Sequence, residues 1–509
     1  MAGGRVLSFL CWVLCLGILC HVSLAQHPFH GGERRLAGQR SECRLQNLRA
    51  QEASRRVESE AGYSEYWDAN DQQFECAGVA AVRKTIQPRG LLLPEFSNLP
   101  RLVYIVQGRA CCFGIYLLHI APTFFVVVVF PCFLSGITGV VVPGCPETFH
   151  SFDQSQQQRR EERPGQQRFQ DQHQKIRRFR RGDIIAMPAG VSHWCYNNGN
   201  EPVIAVTVLD TSNFANQLGR DPKKFFLAGS QQREGWQRES QYGQEEKSGN
   251  NIFSGFDDEI LSESLGVRRE VVRKLKSEGE HRGTIIRVER GLEVVGPRME
   301  EREEEEEERE KERRRKGGAE DNGMEEAMCS MRLQENIGDP MKADFYSRQG
   351  GHITTLNSQK LPILRYLKLS AERGHLRKNA VVSPLWHINA HSVIYCTRGS
   401  ARIQIVGAGQ RPLYNGQLRR GQILIVPQGY AVVKQAQDEE FEWVSFKTND
   451  NAMVSPLAGR TSVLRGIPEG VLVNAYRISS EDARRLKFGR DFETVVLSPG
   501  RSQEGRASE

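Results

Sequence analysis

One stretch of the chain contains a histidine at a spacing that is compatible with metal chemistry. Gly182, Pro188, Gly190, His193 and Asn197 form the pattern G-x5-P-x-G-x2-H-x3-N, with an apolar run on either side. Imidazole nitrogens are common ligands of Fe, Mn and Zn, and a site built from several imidazoles and a carboxylate keeps positions open for a substrate. Metal-dependent catalysis is therefore the first hypothesis to examine, and it requires further ligands close to His193.

The set of metal ligands around His193 is incomplete in the sequence. The pattern resembles the second conserved motif of the cupin superfamily, whose metal-binding members add an H-x-H pair and a glutamate from the first motif. No histidine occurs between His30 and His119, so His193 lacks such partners. In the second half of the chain, His387 and His391 are spaced H-x3-H instead. Because one or two imidazoles without a carboxylate bind a metal poorly, we expect hydrogen-bonded histidines inside or beside a barrel, with no metal and no other cofactor.

Other catalytic patterns are missing from the sequence. It contains no G-x-S-x-G, P-loop, H-E-x-x-H or paired-cysteine metal motif. Cys195 and Cys396 lie in apolar, strand-like runs, where a thiol is expected to be buried and unreactive. The net charge of +7 is spread over 509 residues and interleaved with glutamate, unlike the concentrated basic face of a nucleic-acid-binding protein. We predict a protein that is not an enzyme and binds no nucleic acid.

The N-terminus has the features of a secretory signal. Arg5 precedes an apolar run over 6–20, and the small residues that end at Ala25 predict cleavage before Gln26. The alternative, a membrane anchor, is disfavoured because a span needs about 20 apolar residues. Because the protein would be exported to an oxidising compartment, we expect disulfide bonds. The sequence alone does not determine which cysteines are paired. The six cysteines outside the signal and the apolar insertion described below are Cys43, Cys76, Cys145, Cys195, Cys329 and Cys396.

An internal repeat organises the rest of the chain. Four segments recur in the same order: 102–108 with 393–399, 136–142 with 401–406, 181–188 with 420–427, and 260–276 with 471–487. Each copy contains short apolar strands punctuated by Gly and Pro, and each ends in a helical stretch, predicted over 258–278 and 467–487. We therefore predict a mainly β fold of two tandem jelly-roll β-barrel domains, each with appended C-terminal α-helices. Ser479 or Ser480 is the expected N-cap of the last helix.

The first copy and the junction between the copies contain extra segments. Residues 154–178 and 229–250 are polar and of low complexity, and we expect both to be solvated, mobile loops. The segment 297–322 is rich in Glu and Arg and has no apolar face, so we expect an exposed linker. The predicted domains are then 26–296 and 323–509.

Residues 110–135 form an apolar insertion that the second copy does not have. Twenty of these 26 residues are apolar, which is long enough to span a bilayer. Deleting the insertion would leave a Gly-rich turn between paired strands, as Gly399 provides in the second copy. Its Phe, Val, Leu, Ile and Cys residues all have codons that contain uracil. We therefore favour a translated, unspliced intron over a membrane element, and we expect no stable membrane insertion.

The junction carries the most specific motif of the chain. Asn322-Gly323-Met-Glu-Glu-Ala-Met-Cys329-Ser330 resembles the signature of the 11S globulin (legumin- and glutelin-type) seed storage proteins, in which acidic residues, an apolar residue and Cys-[ST] follow an Asn-Gly pair, with Met324 in place of the usual acid. The resemblance extends over nearly the whole mature chain, with 110–135 as the exception. Further landmarks lie in order at 42–47, 74–78, 91–94, 142–148 and 389–395.

The resemblance implies a function and a processing scheme. It implies a nutrient reservoir in the protein storage vacuole of the seed, reached through the secretory pathway. It also implies that an asparaginyl endopeptidase cuts between Asn322 and Gly323, giving an acidic-type chain of 26–322 and a basic chain of 323–509. A flexible polar segment between domains is accessible to a protease, which agrees with this site.

The resemblance also implies covalent and non-covalent assembly. The implied disulfides are Cys43–Cys76 within the first chain and Cys145–Cys329 between the processed chains. The implied oligomer is a homotrimer that becomes a hexamer after cleavage. The alternative function is a metal-dependent cupin enzyme, such as a germin-like oxidase or dioxygenase, which a metal analysis would distinguish from a storage protein.

Overall fold

A computed structural model shows two β-barrels, one from each copy of the repeat. It describes residues 43, 45, 47–108, 136–142, 144–145, 174–229, 251–276, 281–292, 328–409, 411–437 and 439–499, and the strand backbone of 116–121, 124–128, 149–150 and 172–173.

The first barrel consists of two antiparallel sheets that enclose its interior. One sheet has the order β1-β2-β3-β14-β5-β12-β17, and the other has the order β11-β8-β13-β4-β15 with β16 also paired to β4. Their strands are β1 (Arg55–Ser59), β2 (Gly62–Tyr66), β3 (Val79–Ile86), β4 (Gly90–Ser97), β5 (Arg101–Gln107), β8 (Gly136–Val141), β11 (Lys175–Phe179), β12 (Asp183–Met187), β13 (Ser192–Tyr196), β14 (Val203–Asp210), β15 (Lys224–Phe226), β16 (Ile285–Arg287) and β17 (Gln334–Asn336).

The second barrel repeats this arrangement. Its sheets have the orders β18-β19-β20-β27-β22-β25 and β24-β23-β26-β21-β28, with β29 also paired to β21. Their strands are β18 (Phe345–Ser347), β19 (Gly351–Leu356), β20 (Ser370–Leu376), β21 (Val381–His387), β22 (Ser392–Arg398), β23 (Ser400–Val406), β24 (Tyr414–Arg419), β25 (Ile423–Val426), β26 (Ala431–Ala436), β27 (Phe441–Lys447), β28 (Val454–Pro456) and β29 (Val496–Leu497). The matched segments of the repeat therefore form equivalent strands, as predicted.

Short helices surround the barrels. The α-helices are α1 (Gln72–Ala77), α2 (Asp258–Leu265), α3 (Arg269–Leu275), α4 (Leu364–Leu367), α5 (Val463–Gly466), α6 (Glu469–Tyr476) and α7 (Ser480–Phe488), with 3-10 turns at Ile252–Gly255 and Pro340–Lys342. The two predicted helical stretches are each broken into shorter helices. In the first stretch, Gly266 takes the left-handed conformation (φ 63°) and ends α2. Ser479 caps α7 by accepting a hydrogen bond from the backbone N–H of Asp482, so the first of the two expected capping serines is used.

Two expectations about connections were wrong. The strands on either side of Gly399, β22 and β23, belong to different sheets, and so do β5 and β8 in the first barrel. These turns therefore cross from one sheet to the other instead of joining paired strands. The loop predicted over 154–178 ends earlier, because β11 begins at Lys175 and pairs with β8. The ammonium group of Lys175 is buried and donates to the backbone oxygens of Met328 and Met331. These hydrogen bonds offset the cost of removing the charge from water.

The apolar insertion contributes a two-stranded sheet of its own. The strands β6 (Tyr116–Ala121) and β7 (Phe124–Val128) pair antiparallel with each other and with no other described strand. The short strands β9 (Phe149–His150) and β10 (Gln172–His173) form a second isolated ladder. Across the described parts of the chain, no helix combines the length and apolar character needed to cross a membrane.

The two barrels exchange edges. Strand β17, which follows the junction between the copies, pairs with β12 and so completes a sheet of the first barrel. In return, Gln51 near the N-terminus forms a β-bridge with Ile423 at the edge strand β25 of the second barrel. Trp67 is fully buried and donates from its indole nitrogen to the backbone oxygen of Gln51 over 3.0 Å. The segment just before the second barrel therefore pairs with the first barrel, and the segment just before the first barrel pairs with the second.

One apolar cluster spans the contact between the barrels. Trp67 packs edge-to-face on Tyr395 with ring centroids 6.2 Å apart, and the same cluster includes Leu102 of the first barrel and Leu364 of α4. Arg83 donates to the Tyr395 hydroxyl over 3.1 Å. Because this buried apolar cluster is continuous from one barrel to the other, the two barrels pack as one unit.

Candidate functional site

His193 lies inside the first barrel, on β13 between β8 and β4. The residue is only 5% exposed, and its Nδ1 is 2.9 Å from the Arg101 guanidinium and 2.9 Å from the backbone oxygen of Glu95. Burial, and then the positive charge of Arg101, hold the pKa of His193 well below its usual value. The imidazole is therefore neutral and is fixed by hydrogen bonds inside the barrel, as expected.

The expectation that no carboxylate accompanies this histidine was wrong. The Glu95 Oε1 atom is 3.7 Å from His193 Nε2, accepts a hydrogen bond from Lys84 Nζ over 2.7 Å and lies 3.5 Å from Arg101. Burial opposes ionisation of Glu95, but Lys84, Lys224 and Arg101 together lower its pKa below the usual value. The carboxylate is thus ionised and forms the centre of a buried cationic cluster.

Sequence reasoning missed Glu95, although a signal for it exists. This glutamate follows three leucines and a proline within the apolar run that forms β4. An isolated acid in such a run points into a core and requires a cation nearby, because an unpaired buried charge is costly. Lys84, which is buried although it follows Arg83 in β3, is the complementary cation. Neither residue belongs to a recognised motif.

The second barrel contains a different polar cluster. The buried His387 has its Nε2 atom 3.1 Å from Lys447 Nζ, which also donates to the Ser392 hydroxyl over 2.9 Å. Glu372 lies 3.5 Å from Lys447 and 3.6 Å from Lys434. Burial opposes the ionisation of Glu372, but these lysines lower its pKa to about 2.

His391 is not part of that cluster. It follows β21 on the connection to β22, where it is half-buried and its Nδ1 atom accepts from the backbone N–H of Gln428 over 3.2 Å. His387 and His391 therefore have different hydrogen-bond partners, although His391, after burial and Lys447, also contributes to lowering the pKa of His387. No group of three or more His, Cys, Asp or Glu side chains that could hold a metal occurs within the described residues.

The two clusters do not occupy equivalent positions. The ladders of the two barrels can be aligned through the repeated Tyr104 and Tyr395, and every charged position of one cluster then corresponds to an uncharged residue of the other. The equivalent pairs are Lys84 and Gly374, Glu95 and Leu385, Arg101 and Ser392, His193 and Val432, Lys224 and Val454, Val82 and Glu372, Ser97 and His387, Cys195 and Lys434, and Leu209 and Lys447. Neither cluster therefore duplicates the other as a common ligand set would.

The free thiols of the described residues are poor nucleophiles. Cys195 lies on β13 and Cys396 on β22, and burial raises the pKa of each thiol to about 12. Both are therefore protonated at neutral pH, and the thiolate is the reactive form. Cys396 is buried, as expected, whereas Cys195 is half-buried.

The structure brings the four cysteines of the implied disulfides together as pairs. Cys43 is bonded to Cys76 with their Cα atoms 5.0 Å apart, and Cys145 is bonded to Cys329 with their Cα atoms 5.4 Å apart. The second bond joins the first barrel to the segment that follows the junction. The predicted cleavage sites, Asn322–Gly323 and Ala25–Gln26, lie outside the described residues.

The appended helices present large apolar side chains to solvent. Only Leu261 of α2, Val272 of α3, Leu472 of α6 and Ala483 of α7 are buried. The exposed apolar residues of these helices are Ile260, Leu265, Val271, Val471, Tyr476, Leu486 and Phe488. We call this set the helix surfaces; exposed apolar area of this kind, which occurs here in each copy of the repeat, is typical of an association surface.

Comparison with known proteins places these features in a family. The family model described as Cupin matches residues 48–116, 135–233 and 335–484. The interval between the first two matches, 117–134, lies within the apolar insertion. The match therefore covers most strands of both barrels and omits most of the insertion.

The chain is also similar to individual proteins over nearly its whole length. It is 50% identical to an 11S globulin of Juglans nigra, with 97% of each chain covered, and 44% identical to Glutelin type-A 1 of Oryza sativa subsp. japonica, covering 96% of this chain and 95% of that one. A solved structure, the recombinant pro-11S globulin of pumpkin, is 43% identical with a TM-score of 0.72, and the match covers 90% of this chain and all of that one.

Proposed function

Because the chain belongs to the 11S globulin family and is therefore a seed storage protein, we propose that it is a nutrient reservoir that keeps its fold when its backbone is cut. It is not an enzyme, as the storage function of its relatives indicates. The store is nitrogen-rich, since arginine and glutamine are abundant throughout the sequence. The main observation in support of this proposal is that the Cys145–Cys329 disulfide connects the two sides of the junction between the copies.

The proposed cut is made by an asparaginyl endopeptidase between Asn322 and Gly323. The described chain stops at Leu292 and resumes at Met328. On the N-terminal side of this interval, β16 is paired with β4 of the first barrel. On the C-terminal side, Cys329 is bonded to Cys145, and Lys175 donates to the backbone oxygens of Met328 and Met331 over 3.0 and 3.2 Å. Cleavage upstream of these anchors would therefore leave the new N-terminal segment attached to the first barrel.

The exchanged edges support the same proposal. After cleavage, β17 would belong to the C-terminal chain but would still pair with β12 of the N-terminal chain. Gln51 would likewise remain bridged to Ile423. These ladders hold the two processed chains together through backbone hydrogen bonds, in addition to the disulfide and the shared apolar core.

We further propose assembly into a trimer and then a hexamer. Proteins of this family form oligomers, and the helix surfaces supply apolar area in each of the two repeats for contacts between copies. Closed threefold symmetry would satisfy every such surface if the helices of one repeat meet those of the other repeat in the next copy. The uncut, highly charged segment 297–322 would obstruct stacking of two trimers, and its cleavage would remove the obstruction. The proposed location is the protein storage vacuole, reached through the secretory pathway.

The test is processing of the purified full-length proprotein with an asparaginyl endopeptidase. We expect one band on non-reducing electrophoresis, two bands after reduction, and conversion from trimer to hexamer in analytical ultracentrifugation. The Asn322→Gln variant should remain uncut and trimeric, whereas Asn415→Gln, on the exposed strand β24, should behave as the wild type. Two separate bands without reductant, or a hexamer of the uncut variant, would contradict the scheme.

A further inference from the structure

Two histidines lie opposite each other on the outer face of the second barrel. His352 on β19 pairs directly with His375 on β20 in the antiparallel ladder. On β20, Gly374 contacts the Trp443 ring, and Leu376 belongs to the apolar core of this barrel. Because successive side chains of a strand point to opposite faces, His375 points away from that core, and so does its cross-strand neighbour His352. The pair is therefore separate from the histidines inside the barrels.

Each of these two imidazoles has a buried nitrogen atom without a hydrogen-bond partner among the described residues, namely Nε2 of His352 and Nδ1 of His375. Buried polar atoms are nearly always hydrogen-bonded, so two such atoms on directly opposed residues require an explanation. The other ring nitrogen of His375, Nε2, is 3.4 Å from Glu440 Oε2. A carboxylate at that position favours the tautomer with the proton on Nε2, which leaves a lone pair on Nδ1. Carboxylates orient metal-binding histidines in the same way.

The separation of the two rings fits a shared metal ion. Their centroids are 5.1 Å apart, with an angle of 34° between the ring planes. A Zn²⁺ ion lies about 2.0–2.1 Å from a ligating nitrogen and so about 3.2 Å from the ring centre; a tetrahedral angle at the ion then separates two ring centres by about 5.2 Å. The observed distance therefore allows both imidazoles to bind one ion with the strands in their present register.

The charges around the pair have both signs and select the kind of ion. Arg373 and Arg377 are close enough to His352 to oppose a positive charge there. Arg373 donates to Glu442 over 3.0 Å, and Glu440 lies beside His375, so carboxylates offset part of this repulsion. Coordination by nitrogen must then supply most of the affinity. This favours Zn²⁺ or Cu²⁺, which bind imidazole well, over Mg²⁺ and Ca²⁺, which prefer oxygen ligands.

We propose that His352 and His375 bind one transition-metal ion of this class, Zn²⁺ or Cu²⁺, through their Nε2 and Nδ1 atoms respectively. Within the described part of the chain, no third His, Cys, Asp or Glu side chain completes the ligand set, so water fills the other positions. Solvent reaches the pair from the side of Glu440, whose side chain is 45% exposed. Glu440 is a positioning residue that acts through His375. The bound ion would add a trace metal to the nitrogen store, independently of processing at Asn322.

The probes are ZnCl₂ and MgCl₂, added separately at neutral pH to the full-length protein after its metals have been removed with EDTA. Isothermal titration calorimetry should show Zn²⁺ binding and no heat of binding for Mg²⁺. Crystals of the wild-type protein soaked in ZnCl₂, measured at the zinc absorption edge, should show an anomalous peak between the rings of His352 and His375. Absence of Zn²⁺ binding, equal binding of the two cations, or absence of that peak would overturn the proposal.

Variants of the pair test the ligands in solution. His352→Gln and His375→Gln each remove one ligand and should weaken Zn²⁺ binding at this site at least tenfold. The matched control is His281→Gln, an exposed histidine outside the pair, which should leave Zn²⁺ binding unchanged. Wild-type affinity and stoichiometry in both variants of the pair would refute the site. If a variant fails to fold, the anomalous peak of the wild-type protein still decides the outcome.

Glu440 needs a test that separates orientation of the imidazole from a merely structural role. Glu440→Gln should weaken Zn²⁺ binding about tenfold, since loss of a carboxylate behind a metal-binding histidine typically costs 10–100-fold in affinity. The Tm of the metal-free protein should not change, because the Glu440 side chain is partly exposed. Glu440→Asp keeps a carboxylate and should restore part of the affinity. Equal affinities of Glu440→Gln and the wild type would exclude Glu440 from the site.

Discussion

Glu95 determines whether the interior of the first barrel tolerates its cations. Its Oε1 atom is the partner of both Lys84 and Arg101, at 2.7 and 3.5 Å, inside a barrel from which these side chains are almost entirely hidden. Replacing a buried ion pair by apolar residues can be neutral, but removing one member leaves the other unpaired. The carboxylate is therefore needed as long as the lysines and the arginine remain.

Glu95→Gln tests this dependence. The amide keeps the shape but removes the charge, so we expect a loss of about 3–5 kcal/mol in the free energy of unfolding. Chemical denaturation followed by tryptophan fluorescence measures the change. The control is Glu58→Gln, which breaks the exposed pair with Arg56 and should have little effect. A Glu95→Gln protein as stable as this control would show that the cluster does not depend on its carboxylate.

His352 gives the protein a pH dependence in the acidic range. Its ring is 5.1 Å from that of His375, and burial, followed by the charges of His375 and Arg373, lowers its pKa to about 4. Between pH 6.5 and 4 the unfolded chain binds a proton at this position and the folded chain does not. The contribution of His352 to stability is thus fully present above pH 6.5 and is lost as the pH falls towards 4.

His352→Gln should therefore flatten the decrease of Tm between pH 6.5 and 4. Scanning calorimetry of the variant and the wild type at several pH values measures the slope. His281→Gln, at an exposed position, is the control and should retain the wild-type slope. If the dependence of Tm on pH is the same in His352→Gln as in the wild type, groups other than His352 cause the loss of stability between pH 6.5 and 4.

At the scale of the strands, the side chain of Trp443 fills part of the interior of the second barrel and packs against Gly374. A Cβ atom at Gly374 would lie 2.0 Å from the indole of Trp443, and both residues lie in central strands that cannot shift freely. The glycine is thus required by the close approach of the ring. In the first barrel the same two positions hold Lys84 and Ala205, so this constraint is absent there.

Gly374→Ala should lower the free energy of unfolding by about 1–3 kcal/mol, the usual cost of overfilling a packed core. Gly470→Ala in α6 is the matched control, because a Cβ at that position has no atom within 4 Å. Since alanine favours a helix over glycine, that change should raise stability by about 0.5–1 kcal/mol. If urea denaturation gives the same change in the free energy of unfolding for both substitutions, the Trp443 ring can move to make room for the extra methyl group.

We also propose that the apolar insertion 110–135 is the product of an unspliced intron. The family match stops at 116 and resumes at 135, and β6 and β7 pair only with each other among the described strands. Transcripts sequenced across codons 105–140 should then lack codons 110–135. Peptide mapping of the protein isolated from seed should likewise find no fragment from this region, and a peptide from 110–135 would refute the proposal.

Much of the fold could be predicted from the sequence, because the repeat locates equivalent strands without any knowledge of their contacts. The similarity of the chain to 11S globulins confirms the two-barrel fold and the storage function. The edge pairing of β17 with β12 could not be predicted, since three consecutive polar residues carry no strand pattern and no signal for their partner. The cluster around Glu95 was missed for a related reason: its members are scattered over five strands, and only the register of the sheets brings them together.

At the scale of the whole molecule, the exchanged edges predict how the processed protein behaves without its disulfide. A Cys145→Ser/Cys329→Ser variant, cut at Asn322, should still elute from size-exclusion chromatography as an oligomer that contains both chains. The β17 ladder, the bridge at Gln51 and the shared apolar core remain in place in this variant. Its Tm should be lower than that of the disulfide-bonded protein, since loss of a disulfide typically costs 2–5 kcal/mol.

The matched control is the same cut protein with both cysteines intact. Elution of the two chains at separate volumes would show that the disulfide alone holds them together.

The exchanged edges also constrain the order of events during synthesis. The first barrel cannot complete its sheet until β17 has left the ribosome, well after the last of its other strands, β16. Contacts such as that between Arg83 and Tyr395 span 312 positions, and contacts of such long range make folding slow. The nascent N-terminal half must therefore wait with an unpaired edge at β12, a known starting point for aggregation. Expression of residues 26–322 alone would leave that edge permanently open, so the two halves have to be made as one polypeptide even though they end as two.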